Sequence, residues 1–178
     1  MMDFAELAAM RQSVRNYSDR PVEENKLMQC IETARLSPSA NNSQPWKFVV
    51  SDEPELRGRI ADAAAGMGMN RFVRQAPVII AVILERQNML SAAGSVIQDK
   101  EYRLLDVGIA ANQLCLQAAA LGLGTCMVGW FDEKKVRKLL GVGGNRRIPL
   151  LITLGYSDAP VREKVRKPLE AIYARNRY

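Results

Sequence analysis

The stretch EYRLLDVGIAANQLCLQAAAL, residues 101–121, followed at once by GLGTCMVGW, residues 122–130, organises everything around it. Apolar residues occupy nearly every side of a helix drawn through 101–121, and Gly122 with Gly124 supplies the glycine punctuation of a helix C-terminus. A helix of that kind is buried on more than one side. The wider window 104–128 is the most apolar in the chain, yet it carries Asp106, Asn112, Gln113 and Gln117. Charged and amide groups are costly in hydrocarbon, so the window reads as a core helix and not as a membrane span. The glycines follow a helix and enter a short strand, 125–130. A dinucleotide-binding turn leaves a strand and opens a helix, so the Rossmann arrangement is excluded.

Working outward, three further apolar runs read as strands: WKFVVS at 46–51, APVIIAVIL at 76–84 and IPLLITLG at 148–155. Helical spacing places a helix at 3–10 with Asp3 as its N-cap, others at 23–36 and 54–64, and one running from its cap Asp132 through Leu140. The last of these presents Lys134, Lys135, Arg137 and Lys138 outward. Residues 90–100 show no strong period and are expected to form a short, mobile cover segment. Residues 156–178 read as a basic tail with a helix around 169–175. Helices mixed with a few apolar strands, without a βαβ rhythm, predict one α+β domain over residues 1–178, a sandwich around a central mixed or antiparallel sheet.

Composition narrows the chemistry. A domain of 178 residues buries roughly 70% of its unfolded surface, enough for a real core. There is no histidine, so Ser-His-Asp and Cys-His systems and histidine metal sites are excluded, and no metal is expected. Cys30, Cys115 and Cys126 are odd in number and widely spaced, which suits buried reduced thiols better than disulfides. The N-terminus has no basic region ahead of an apolar stretch, and a cytoplasmic location is expected. A net charge of +6 favours anionic partners, phosphorylated cofactors among them.

Three local patterns can carry chemistry. RQSVR places the guanidinium groups of Arg11 and Arg15, with Gln12 and the Ser13 hydroxyl between them, where the first helix runs out. Planar guanidinium donors suit a phosphate, and a solvated helix end is the plainer alternative. SPSANNSQPW, residues 37–46, is dense in amides, hydroxyls and free backbone donors just before a strand, and could either hydrogen-bond the edge of a heteroaromatic ring or serve as an ordinary turn. KVRK joins Lys164, Arg166 and Lys167 near the C-terminus, as a ligand site or as a solvated charge run.

Taken in order, RxSVRxY (11–17), PSAxNxQPW (38–46), DVGIAANQLCLQAAALGLGT (106–125) with its VGW, and LGY (154–156) resemble the nitroreductase family across nearly the whole chain. The resemblance implies an α+β sandwich forming an intertwined homodimer, with FMN in clefts built by both subunits and NAD(P)H as reductant. It implies that Arg11, Gln12, Ser13 and Arg15 hold the phosphate and ribityl chain, with Lys164 and Arg166 closing over the phosphate. Pro38, Ser39, Ala40, Asn42 and Gln44 would come from the partner subunit to the ring and ribityl portions. Met127, Val128 and Gly129 would lie against the ring, a backbone N–H near Gly129 facing N5. Many relatives carry a Pro-Ile-Glu-Gly type segment at that point, and this chain does not.

What the resemblance implies for activity is ping-pong reduction of nitroaromatics, quinones or similar electron-poor acceptors through flavin N5. No side-chain catalyst is then needed, because the flavin performs the hydride chemistry and the protein orients ring and substrate. Charge-assisted hydrogen bonds are worth roughly 1.5 to 3 kcal/mol each, so four or five donors account for most of a tight flavin affinity. Branches of the fold that cleave flavin or remove halogen are an alternative; they use lid residues not identifiable between Leu84 and Glu101. A basic module binding nucleic acid, or flavin without turnover, is another. Nucleic acid is disfavoured by the lack of an aromatic-interleaved basic strand.

Overall fold

The computed structural model describes residues 3–178. Four strands form one antiparallel sheet in the order β1-β2-β4-β3, with β1 at Trp46–Ser51, β2 at Val78–Leu84, β3 at Gly124–Val128 and β4 at Arg147–Gly155. Of the two sheet forms expected, the antiparallel one is found. A single isolated bridge, Ser13 to Thr125, runs parallel among the described residues.

Strand β2 explains the layering. Its seven residues are all buried, because alternate side chains enter two different cores. Ile80 and Val82 join Ile152 and Leu154 beneath α2 (Glu24–Arg35) and α5 (Tyr102–Ala120), where Leu27, Ala34, Leu114 and Ala118 fill the space. Ile79, Ala81 and Ile83 face Ile60, Ala64, Val73, Val136 and Leu151, under α3 (Pro54–Ala64) and α6 (Glu133–Leu139). A sheet covered on both faces has no polar face, which is why its central strands read as unbroken apolar runs.

Helix α1 (Phe4–Met10) opens where the Asp3 backbone N–H donates to Glu6 at 3.1 Å. The segment at 90–100, which shows no strong period in the sequence, lies mostly in a short helix, α4 at Met89–Gln98, whose cap Asn88 accepts from the Ser91 backbone N–H at 2.9 Å. Its apolar Met89, Leu90 and Ile97 are exposed while Ser91 is buried, so the inward face is marked by a polar residue and the usual periodicity is inverted. The helix expected at 169–175 shrinks to one turn, Leu169–Ala171, with Ile172 and Tyr173 left exposed.

Among the described residues, one side of α5 is left uncovered. Leu105 is 61% and Ile109 41% exposed, and with Phe4, Gly108, Asn112 and Leu116 they line an apolar groove. Large exposed apolar patches mark interaction surfaces in soluble proteins.

Candidate functional site

Helix α1 stops at Met10, and Arg11 (φ −59°, ψ 124°) already has extended backbone. The chain then runs beside the sheet edge, where the Val14 N–H donates to the Thr125 carbonyl at 2.8 Å. Arg11, Ser13 and Arg15 therefore share a side through the two-residue period of an extended chain, not through helical spacing. Val14 turns the opposite way and is buried against Gly124, a position where any β-carbon would approach Val14 Cγ2 to 2.7 Å. Tyr17 fixes this segment from beneath, its buried hydroxyl lying 2.7 Å from Thr153 Oγ1 and donating to the Val14 carbonyl at 3.0 Å.

The tail returns across the same segment. Arg162 Nη2 donates to the Ser13 carbonyl at 2.7 Å, and its backbone N–H and Nε reach Gln12 Oε1 at 3.1 and 3.2 Å. Gln12 Nε2 donates to the Pro160 carbonyl at 3.1 Å, and Lys164 Nζ donates to the Arg11 carbonyl. The result is a cleft of about 340 Å³ lined by Arg11, Gln12, Ser13, Arg15, Lys164 and Arg166, with Arg162 and Glu163 at its wall. Arg162 was not singled out from the sequence. Its only signal there is membership of the basic tail, and a tail residue gains meaning once the fold lays it over Ser13.

Five cations meet here, and among the described residues none of them forms an ion pair. Desolvation, then repulsion from Arg11, Arg166 and Arg162, holds the Lys164 ammonium below the ordinary lysine range. Uncompensated positive charge around a small polar cleft is what a phosphate dianion satisfies.

Next to the cleft, β3 forms the edge of the sheet. Its Thr125 carbonyl faces outward to Val14, so strand alternation sends the backbone groups of Met127 to the same open side. Met127 is 37% exposed and Gly129, just past the strand, is exposed too. Val128 places its side chain in the core, and the same alternation turns its backbone groups toward β4.

The loop of Pro38, Ser39, Ala40, Asn42 and Gln44 lies elsewhere. It carries a 3-10 turn, Ala40–Asn42, with left-handed backbone at Asn41, Asn42 and Gln44 (φ 50°, 53° and 46°). The Ala40 N–H donates to Asp106 Oδ1 at 3.1 Å near the start of α5, and Gln44 N–H to Ser39 Oγ at 2.9 Å. The hollow beside Arg11 is lined by Ala119 and Gly122, at the other end of that helix. At 1.5 Å per residue, Asp106 and Ala119 are about 20 Å apart. One chain does not bring the two groups of expected residues together.

The three cysteines are free and buried, and burial pushes the Cys30 thiol up to about 12. Among the described residues no carboxylate or thiol cluster could hold a metal, and no helix is long and apolar enough to cross a membrane.

The chain is thus an α+β protein whose sheet is covered on both faces, with an unpaired cationic cleft at the sheet edge and an apolar groove along α5. The nitroreductase family model matches residues 8–69 and 65–156. The chain belongs to that family. It is 28% identical to an NADH dehydrogenase of Thermus thermophilus, over 97% of this chain and 95% of that one. It is 30% identical to an oxygen-insensitive NADPH nitroreductase of Helicobacter acinonychis, over 80% and 81%. An FMN-dependent nitroreductase from Clostridium difficile superimposes with a TM-score of 0.80 at 25% identity, covering 97% of this chain and 98% of that one.

Proposed function

We propose that this protein is an FMN-dependent NAD(P)H oxidoreductase, a homodimer that reduces electron-poor acceptors such as nitroaromatics and quinones. The observation that carries the reading is the separation of the two half-sites along α5. If two copies pack their α5 grooves antiparallel, the loop 38–44 of one reaches the cationic cleft of the other. The uncovered Leu105 and Ile109 supply the apolar surface for that packing.

The residues present fit FMN. Arg11, Ser13, Arg15, Lys164 and Arg166 would hold the phosphate, with Gln12 and Arg162 fastening the tail that closes the cleft. Met127 and Gly129 offer outward backbone and a half-exposed thioether to the ring, and the partner subunit's Pro38, Ser39, Ala40, Asn42 and Gln44 complete its surroundings. When bound, FMN supplies a two-electron hydride acceptor and donor at N5. The chain's own part is to bind, orient and leave one face open, so that NAD(P)H and the acceptor take turns there in ping-pong order.

The test is to purify the protein without added flavin, record its visible spectrum, and add NADH or NADPH anaerobically. A yellow protein that bleaches, then recovers colour with a nitroaromatic or quinone, is expected. A colourless protein that does not bind added FMN overturns the reading.

A further inference from the structure

The turn at Ala40–Asn42 is held by residues that lie outside the expected cofactor contacts. Ala40 is gripped at both peptide groups: its N–H donates to Asp106 Oδ1 at 3.1 Å, and its carbonyl accepts from Ser91 Oγ at 2.8 Å. Ser91 Oγ also accepts from Asn41 Nδ2 at 3.2 Å. Asn88 adds two more ties, its Nδ2 donating to the Asn41 carbonyl and its backbone N–H to Ser43 Oγ, each at 2.9 Å. Ser91 and Asp106 are 1% and 5% exposed.

Two features set this arrangement apart from ordinary packing. Left-handed backbone at three non-glycine residues within four positions is uphill, and it persists only where surroundings over-determine it. Asp106 is a buried carboxylate with no cation paired to it among the described residues, and burial pushes its pKa upward against the pull of the Ala40 N–H. A leucine or valine would suit that point of α5 better if packing were all that mattered.

We propose that Asp106 and Ser91 are positioning residues that set the shape of the cofactor-facing turn, and that through Ser91 the helix α4 and the flavin grip move as one unit. The inference rests on the reading above, in which residues 38–44 face FMN. It adds that α4, whose Met89, Leu90 and Ile97 are exposed, alters flavin affinity when it shifts.

The experiment is an FMN fluorescence-quenching titration of the full-length apoprotein, with Ser91→Ala, Asp106→Ala and Asp106→Asn beside the wild type. Melting of each apoprotein and the visible band shape of each flavin complex are recorded as well. Asparagine keeps an oxygen for the Ala40 N–H, so Asp106→Asn is expected within about threefold of wild type. Ser91→Ala and Asp106→Ala are expected to bind FMN at least tenfold more weakly with an altered flavin band, while Ser91→Ala melts within about 8 °C of wild type, the scale of two lost hydrogen bonds of about 1 kcal/mol each. Unchanged affinity in both alanine variants, an Asp106→Asn as weak as Asp106→Ala, or affinity losses explained by apoproteins already unfolded would overturn the proposal. A wild type that does not bind FMN sinks the functional reading instead.

Discussion

Replacing Gly124 by alanine tests whether the phosphate segment is seated on β3 as described. The new methyl would lie 2.7 Å from Val14 Cγ2, 2.9 Å from Cβ and 3.0 Å from Cγ1. Rotating Val14 cannot relieve a contact with its own β-carbon, so the backbone must lift from the strand. Overpacking of this kind costs about 1 to 3 kcal/mol, and loss of the Val14–Thr125 hydrogen bond adds about 1 kcal/mol. At about 2 to 4 °C per kcal/mol for a domain this size, apoprotein melting should fall by roughly 4 to 16 °C. The same movement displaces Arg11, Ser13 and Arg15. Losing one charge-assisted contact of about 1.5 to 3 kcal/mol weakens FMN binding roughly 10- to 150-fold. Calorimetry and flavin quenching read the two effects. In a Gly124→Ala/Val14→Ala double variant the γ-carbons are gone and only the β-carbon contact remains, so at least about 1 kcal/mol of favourable coupling is expected. A single variant that melts within 2 °C of wild type and binds FMN normally would refute the seating.

Lys164→Ala should weaken FMN binding roughly 10- to 150-fold with little change in apoprotein melting, as measured by quenching titration. Because desolvation, and then the neighbouring arginines, depress the free Lys164 ammonium and a bound phosphate raises it again, its contribution is complete below the free-form pKa. It is lost as pH rises through the window up to the bound-form value, so FMN affinity should decline at lower pH than an ordinary lysine predicts, and the Lys164→Ala variant should lack that decline. Ile109→Asp on the uncovered side of α5 should yield monomers in sedimentation and, because the half-sites then separate, a colourless protein. With Cys30 pushed up to about 12 and all three thiols buried, iodoacetamide at pH 8 should label none until the protein is unfolded, which mass spectrometry would show.

The strands were legible because a sheet buried on both faces needs long apolar runs, and β2 and β4 have them. Arg11, Ser13 and Arg15 were legible as a group, but what aligns them, alternation along an extended chain past the end of α1, emerges only in the fold. Arg162 was not legible, since nothing local separates it from the other charges of the tail. Helix α4 was hidden because its buried face is carried by Ser91 and its apolar side chains point out; Asn88 three residues before Ser91, an N-cap spacing, was the one signal that could have found it. The loop at 37–46 was legible as a polar turn-rich segment before a strand, but its strain and its distance from the cleft are properties of three dimensions.

The clasp between the chain's two ends has a kinetic side. Gln12 to Pro160, Ser13 to Arg162 and Arg11 to Lys164 are joined across 148, 149 and 153 residues. Contacts so remote in sequence carry the largest loop-closure penalty and form late, after the sheet between them has assembled. A ligand that bridges Arg11 and Lys164 binds only the clasped state and so draws the chain toward it by mass action. During refolding, FMN would therefore act on the ends of the polypeptide like a template, and the last step of folding and the first step of cofactor capture would be the same event.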